Sequence, residues 1–163
     1  MNPTTARERY HPLWVAAHWL AGILILVSLY GGIAVLRHIP NEVPDKPAML
    51  QGHVIAGLVI LVLMLVRLVM RAASKKPRPA DVENPWLNRL RKTVHVLLYV
   101  TVFAMISTGI GTLGMSGAFP VVFGEPGVLP ASFWDYPPRL GHMFFSRVLL
   151  VLLLLHVAGA LYH

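Results

Sequence analysis

The chain contains no cysteine. It therefore forms no disulfide, holds no thiolate-ligated iron–sulfur cluster, attaches no c-type haem covalently and uses no thiol in catalysis. Charged residues are also scarce, at 13% of the 163 residues, and no Asp or Glu lies within a long apolar run. Pathways for metal ions or protons through a membrane normally contain carboxylates. Their absence argues against that class of function.

What the chain has instead is apolar sequence. It is 56% hydrophobic with a mean hydropathy of +0.63, which is too apolar for a soluble domain. Four apolar runs each reach or approach the roughly 20 residues that cross a bilayer. They cover about 13–36, 54–70, 94–115 and 143–162. We predict one all-α domain over residues 1–163, a transmembrane four-helix bundle whose first run is a retained span rather than a cleaved signal peptide.

The distribution of basic residues predicts the orientation of this bundle. The N-terminal segment and the connection between the second and third runs carry most of the net charge of +7, whereas the other two connections are poor in Lys and Arg. The positive-inside rule then places both termini and the middle connection in the cytoplasm. Because the basic stretch adjoins two spans, it indicates membrane orientation and not nucleic-acid binding. Membrane lipid is the expected partner.

The connection over 116–140 is the longest and is rich in Gly, Pro and aromatic residues. This composition suits a folded cap at the membrane interface, where aromatic rings are favoured. The cap is either an interfacial anchor or a lid over a substrate site.

Two histidines in the last run, His142 and His156, are the most informative feature of the sequence. Fourteen residues of helix span about 21 Å and return to within about 40° of the starting direction, so both imidazoles lie on nearly one face. Ionisable residues inside a span are costly and therefore indicate function. Imidazole is a common ligand of metal ions and of haem iron.

With this topology, five histidines sort into two levels of the membrane. His53 and His142 lie at the outer level, and three lie at the inner level, namely His18, His95 and His156. Two imidazoles fit a bis-histidine haem, and three fit a second haem with one imidazole to spare. The competing hypothesis is a zinc or copper transport site, which requires three or more converging ligands, often with carboxylates.

Glycines phased to the histidines favour haem. Gly22 and Gly57 follow His18 and His53 by four residues, and Gly109 makes a gap at the outer level of the third span. A flat macrocycle against a helix requires a small residue about one turn from its ligand, although small residues also allow membrane helices to approach each other.

Arg67 is a further intramembrane charge, fourteen residues after His53 and therefore at the inner level. It either pairs with an inner haem propionate or extends to the cytoplasmic surface.

Taken in order, these stretches resemble the prokaryotic cytochrome b561 family of di-haem membrane cytochromes. The resemblance covers nearly the whole chain and rests on His18-Trp19-Leu20, His53-Val54-Ile55-Ala56-Gly57, His95-Val96-Leu97-Leu98-Tyr99 and Leu155-His156-Val157-Ala158. It implies two haem b groups stacked across the membrane.

The resemblance also implies a role for each histidine. His53 and His142 would ligate the outer haem, and His18 and His156 the inner one. His95 would be a non-ligand near the inner haem or a quinone. His163 would be a candidate quinone contact.

Small members of the family are similar to superoxide oxidase. This implies a superoxide:ubiquinone oxidoreductase of the bacterial inner membrane, which takes electrons from superoxide at the periplasmic face and passes them to ubiquinone. Arg37, Lys46 and Arg139 are the basic residues available at the outer surface to attract such an anion. The alternative is an electron-relay subunit that passes electrons from a periplasmic redox protein, a dehydrogenase or hydrogenase, to quinone.

Overall fold

The computed structural model describes residues 12–73 and 85–162, and the regular structure in these ranges is entirely helical. This confirms the predicted all-α class. The helices are α1 (Pro12–Tyr30), α2 (Lys46–Ala73), α3 (Pro85–Ser116), the short α4 (Phe119–Val122) and α5 (Pro137–Tyr162). A π-helical turn (Gly31–Val35) and a 3-10 turn (Leu36–His38) extend α1.

Within the described ranges, four helices are long and apolar enough to cross a membrane, as predicted. Their large apolar side chains are mostly exposed, which suits contact with lipid chains. Three of them start six to nine residues before their apolar runs, because an apolar run marks only the part in hydrocarbon and the first turns reach the interface. Pro85 and Pro137 begin α3 and α5, a position that proline favours. His53, His95 and His142 consequently lie one or more turns inside their helices.

The bundle consists of two helix pairs. α3 packs most extensively against α5, and α1 packs against α2, whereas α2 and α3 meet over a smaller area. Glycines allow the close approach of α3 and α5. A Cβ added at Gly141 would lie 3.0 Å from Cγ2 of Thr108, and one at Gly111 would lie 3.2 Å from Cβ of Pro138. No hydrophobic driving force brings helices together in lipid. Small residues at such crossings allow the close van der Waals packing that holds the helices together instead.

An apolar layer lies in the middle of the bundle. Ile60, Met64, Val102 and Leu149 are its buried members. Ile60, Val102 and Leu149 each follow a histidine by seven residues, which is two helical turns or about 10 Å. The layer therefore separates the outer histidine level from the inner one.

The longest outer connection forms a folded cap, as its composition indicated. α3 ends at a left-handed Gly117 (φ 65°), and the N–H of Ala118 donates to the carbonyl of Leu113 over 3.2 Å, as in a Schellman motif. Ala118 and Val122 are then buried against Leu113. Asn41 Nδ2 in the first outer connection donates to the carbonyl of Pro130 over 2.8 Å, which ties the two outer connections together.

The contact of Gly111 with Pro138 leads to the first prediction. Gly111→Leu should destabilise the protein by about 1–3 kcal/mol, since a rigid proline ring cannot move aside for a larger side chain. Gly114→Leu is the matched control, because nothing lies within 4 Å of its added Cβ. Thermal unfolding in detergent measures both. Equal stability of the two variants would contradict the described packing of α3 on α5.

Candidate functional site

Two pairs of histidine side chains face each other across the bundle. His53 on α2 faces His142 on α5, with ring centroids 6.1 Å apart and planes at 78°. His18 on α1 faces His156 on α5, with centroids 6.0 Å apart and planes at 77°. α5 thus contributes one imidazole to each pair, at the two levels that its sequence spacing predicts.

Both separations suit two imidazoles on opposite sides of one metal ion. With a metal–nitrogen bond of about 2.0 Å and a centroid about 1.1 Å behind the nitrogen, two trans imidazoles have centroids about 6.2 Å apart. His95 is closer to His156, with centroids 5.1 Å apart and planes at 84°. That distance is too short for an axial pair. The geometry therefore favours His18 over His95 as the partner of His156.

A hydrogen bond determines which nitrogen of His142 is free. Its Nδ1 lies 2.8 Å from the carbonyl oxygen of Met105 on α3. A carbonyl only accepts, so Nδ1 carries the hydrogen and Nε2 is available as a ligand. Such outer-shell hydrogen bonds orient metal-bound imidazoles. His95 makes the same contact within its own helix, with Nδ1 2.8 Å from the carbonyl of Arg91.

The glycines near the histidines differ in what they leave room for. A Cβ at Gly109 would lie 3.2 Å from Cε1 and Nδ1 of His142. The gap on α3 is thus filled by the imidazole and not by a macrocycle, which corrects the interpretation from spacing. Gly22 and Gly57, by contrast, have no atom of the described residues within 4 Å of an added Cβ. These two leave the open space next to the histidines that a flat group requires.

A cavity of about 430 Å³ contains the outer pair, within the usual size of ligand sites, roughly 300–1,000 Å³. Gly57 lines it, together with mostly apolar side chains. Ser28 also lines it, and its buried hydroxyl has no hydrogen-bond partner among residues 12–73 and 85–162. The outer site therefore fits a large, flat and mainly apolar group.

Lys46 does not lie at the surface as predicted. Its side chain is only 4% exposed, and its ammonium group donates to the carbonyls of Leu36 and Ile39, the second over 2.6 Å. The last carbonyls of a helix lack intrahelical partners, and the first outer connection folds the lysine back onto them. Nothing in the sequence of this Pro-rich connection predicts that its lysine is buried.

Other basic residues also line the outer cavity. Arg37 and Arg147 are exposed. Arg139 is half-buried, and its guanidinium lies 4.7 Å from the ring centroid of Trp134 in a cation–π contact. The outer site therefore has a cationic rim above its apolar wall.

At the inner level, Arg67 is half-buried and lies within electrostatic range of His18 and His156. This position agrees with its spacing from His53. Whether it pairs with a propionate or extends to the surface stays a prediction. His163 lies outside the described residues. Within 12–73 and 85–162, no three His, Asp or Glu side chains converge to hold a bare metal ion, which gives no support to the zinc or copper hypothesis.

Comparison with known proteins agrees with this geometry. The family model for prokaryotic cytochrome b561 matches residues 9–163. The chain belongs to this family. Cytochrome b561 homolog 1 of Escherichia coli K12 is 23% identical over 159 residues, which cover 96% of this chain and 90% of the relative. Cytochrome b561 homolog 2 of the same organism is 25% identical over 170 residues, with 100% and 88% covered. No solved structure matches.

Membership of the cytochrome b561 family makes this chain a multi-pass membrane cytochrome that transfers electrons through haem b. Sequence reasoning found the histidines, but it missed the buried ammonium of Lys46 and the unpartnered hydroxyl of Ser28. Neither residue type, at its place in the sequence, indicates burial beside a cavity.

Gly57 provides a test of what fills that cavity. Gly57→Leu should remove most of the haem that depends on His53, because the side chain would enter space that the protein leaves open beside the ligand. Gly52→Leu is the matched control on the same helix, since Gly52 has equally free space but does not line the cavity. The haem-to-protein ratio measures the effect. Equal haem content in both variants would contradict a macrocycle over Gly57.

Proposed function

We propose that this cytochrome holds two haem b groups, the outer between His53 and His142 and the inner between His18 and His156. The observation that supports this most is the pair of imidazole separations, 6.1 and 6.0 Å, at two levels of one bundle. The inner site is the more open one, since His18 is exposed on α1.

Each histidine pair would hold one haem, which would supply a one-electron carrier; two protein ligands to the iron would favour electron transfer over oxygenation. The protein determines the position and environment of these carriers. Met105 orients the His142 imidazole through its carbonyl. The apolar layer of Ile60, Val102 and Leu149 keeps water out of the space between the two levels. Water exclusion and a rigid ligand orientation both help to tune such centres.

For the overall reaction, we propose a superoxide:ubiquinone oxidoreductase. Two superoxide anions each give up one electron and leave as O₂, and ubiquinone takes up two electrons and two protons to become ubiquinol. The cationic rim of the outer cavity, with Arg37 exposed on it, supports an anionic donor. We place the ubiquinone site at the inner end, near His95 and His163.

The orientation follows from the distribution of charge. The ends of α2 and α3 nearest the middle connection carry Arg71, Arg89, Arg91 and Lys92. By the positive-inside rule this end faces the cytoplasm, together with both termini. The protein would then span the inner membrane with its outer cavity open to the periplasm.

The ligand assignment predicts a haem count for each histidine variant. The native protein should contain two low-spin haems, His53→Ala or His142→Ala should lose the outer one, and His18→Ala or His156→Ala the inner one. His95→Ala is the control and should keep both, since its ring is too close to His156 for the two imidazoles to lie on opposite sides of one metal ion. The pyridine haemochrome assay measures the count. Loss of a haem in His95→Ala with retention in His18→Ala would reverse the inner assignment.

The proposed donor predicts a dependence on charge. Arg37→Glu should slow haem reduction by pulsed superoxide about threefold, since it reverses a positive charge at the cavity rim. Added salt should slow the native protein, because screening weakens the attraction. Lys92→Glu makes the same change of charge at the opposite end and should have no effect.

Failure of superoxide to reduce the haems, combined with stable co-purification of a periplasmic redox partner, would instead favour the relay-subunit hypothesis. A rate that responds neither to salt nor to Arg37→Glu would count against electrostatic attraction of superoxide.

A further inference from the structure

Lys46 is the least solvent-exposed cation of the described residues. It begins α2, and two of its three N–H groups donate to the carbonyls of Leu36 and Ile39. These carbonyls lie where the extension of α1 ends. The ammonium group therefore joins the end of α1 to the start of α2 on the outer side of the bundle.

These two hydrogen bonds leave the positive charge of Lys46 without a counter-charge. In the part of the chain that the structure describes, no carboxylate forms an ion pair with it. The adjacent Asp45 and the cavity-lining Glu42 are both exposed. The charged side chain within electrostatic range is another cation, Arg139. A buried charge without an opposite partner is strongly unfavourable, so a second cation nearby increases the cost.

Lys46 and Arg139 line the same cavity as His53 and His142. Lys46 has one N–H left after its two carbonyl contacts, and Arg139 has a planar set of donors. Two cationic donors that line one cavity and lie within electrostatic range of each other match a carboxylate, which forms its strongest hydrogen bonds with charged donors.

We propose that Lys46 and Arg139 form a carboxylate site in the wall of the outer cavity and hold a propionate of the outer haem there. The inference rests on the proposed function, because it requires a haem between His53 and His142. It assigns Lys46 two roles at once. The lysine caps the carbonyls at the end of the α1 extension, and its remaining N–H positions the bound group.

This arrangement links the bound group to the end of α1. The π-helical turn Gly31–Val35 lies just before Leu36, and a Cβ at Gly32 in that turn would lie 3.4 Å from Cε1 of His53. A carboxylate held by Lys46 would therefore stabilise both the end of α1 and the surroundings of an axial ligand.

The test compares haem with haem dimethyl ester, in which both propionates are esterified. The apoprotein is titrated with each compound, and the same titration is made with His53→Ala. Binding that the native protein shows and His53→Ala lacks is assigned to the outer haem site. Lys46→Met should weaken outer-haem binding about tenfold to a hundredfold, the range of a hydrogen bond between charged groups. Ester binding should change much less, and Lys46→Arg should retain most of the preference for haem over ester.

Lys92→Met is the matched control, because Lys92 is an exposed lysine at the far end of α3. It should leave both affinities unchanged. An equal loss for haem and ester in Lys46→Met would show that the lysine only closes the end of α1, which would overturn the carboxylate site. Haem binding that is independent of both His53 and His142 would contradict the proposed function and, with it, this site.

Discussion

The structure depends on one constraint, namely that every polar group placed in hydrocarbon must find its partner within the protein or its bound groups. Histidines and cations sit within an otherwise apolar bundle, and the described contacts account for several of them. His142 donates to a backbone carbonyl on α3 and faces His53. Lys46 donates to carbonyls at the end of α1. In the part of the chain that the structure describes, the buried hydroxyl of Ser28, a residue that lines the outer cavity, has no such partner.

The pairing of the helices follows from the same constraint. Lipid provides no hydrophobic force between helices, so α3 and α5 associate through glycines that let their backbones come close. α1 and α2 form the other pair, and each of them faces α5 with one histidine. This division leaves space between the pairs at the outer level, while the apolar layer of Ile60, Val102 and Leu149 closes the middle. A family built on haem electron transfer needs both features, open space at a ligand pair and a dry region between levels.

The outer cap gives the two ends of the bundle different properties. Its core of Leu113, Ala118 and Val122 packs over the outer end, and Asn41 ties it to the first connection. Cations collect at the cavity beneath it, whereas Arg71, Arg89, Arg91 and Lys92 lie at the opposite end. The positive charges of this chain therefore have separate physical roles. Some are expected to orient the protein in the membrane, and others surround the space where a negatively charged group is expected.

The sequence by itself determined the helical class, the four spans and the two histidine levels, because hydropathy and helical periodicity depend on local order along the chain. Only the tertiary structure decided how residues from different helices meet. It brought His18 rather than His95 to the axial distance from His156, filled the gap at Gly109 with an imidazole and buried Lys46. Such contacts depend on how helices rotate and pair. The residue pattern of one helix does not predict where its neighbour lies.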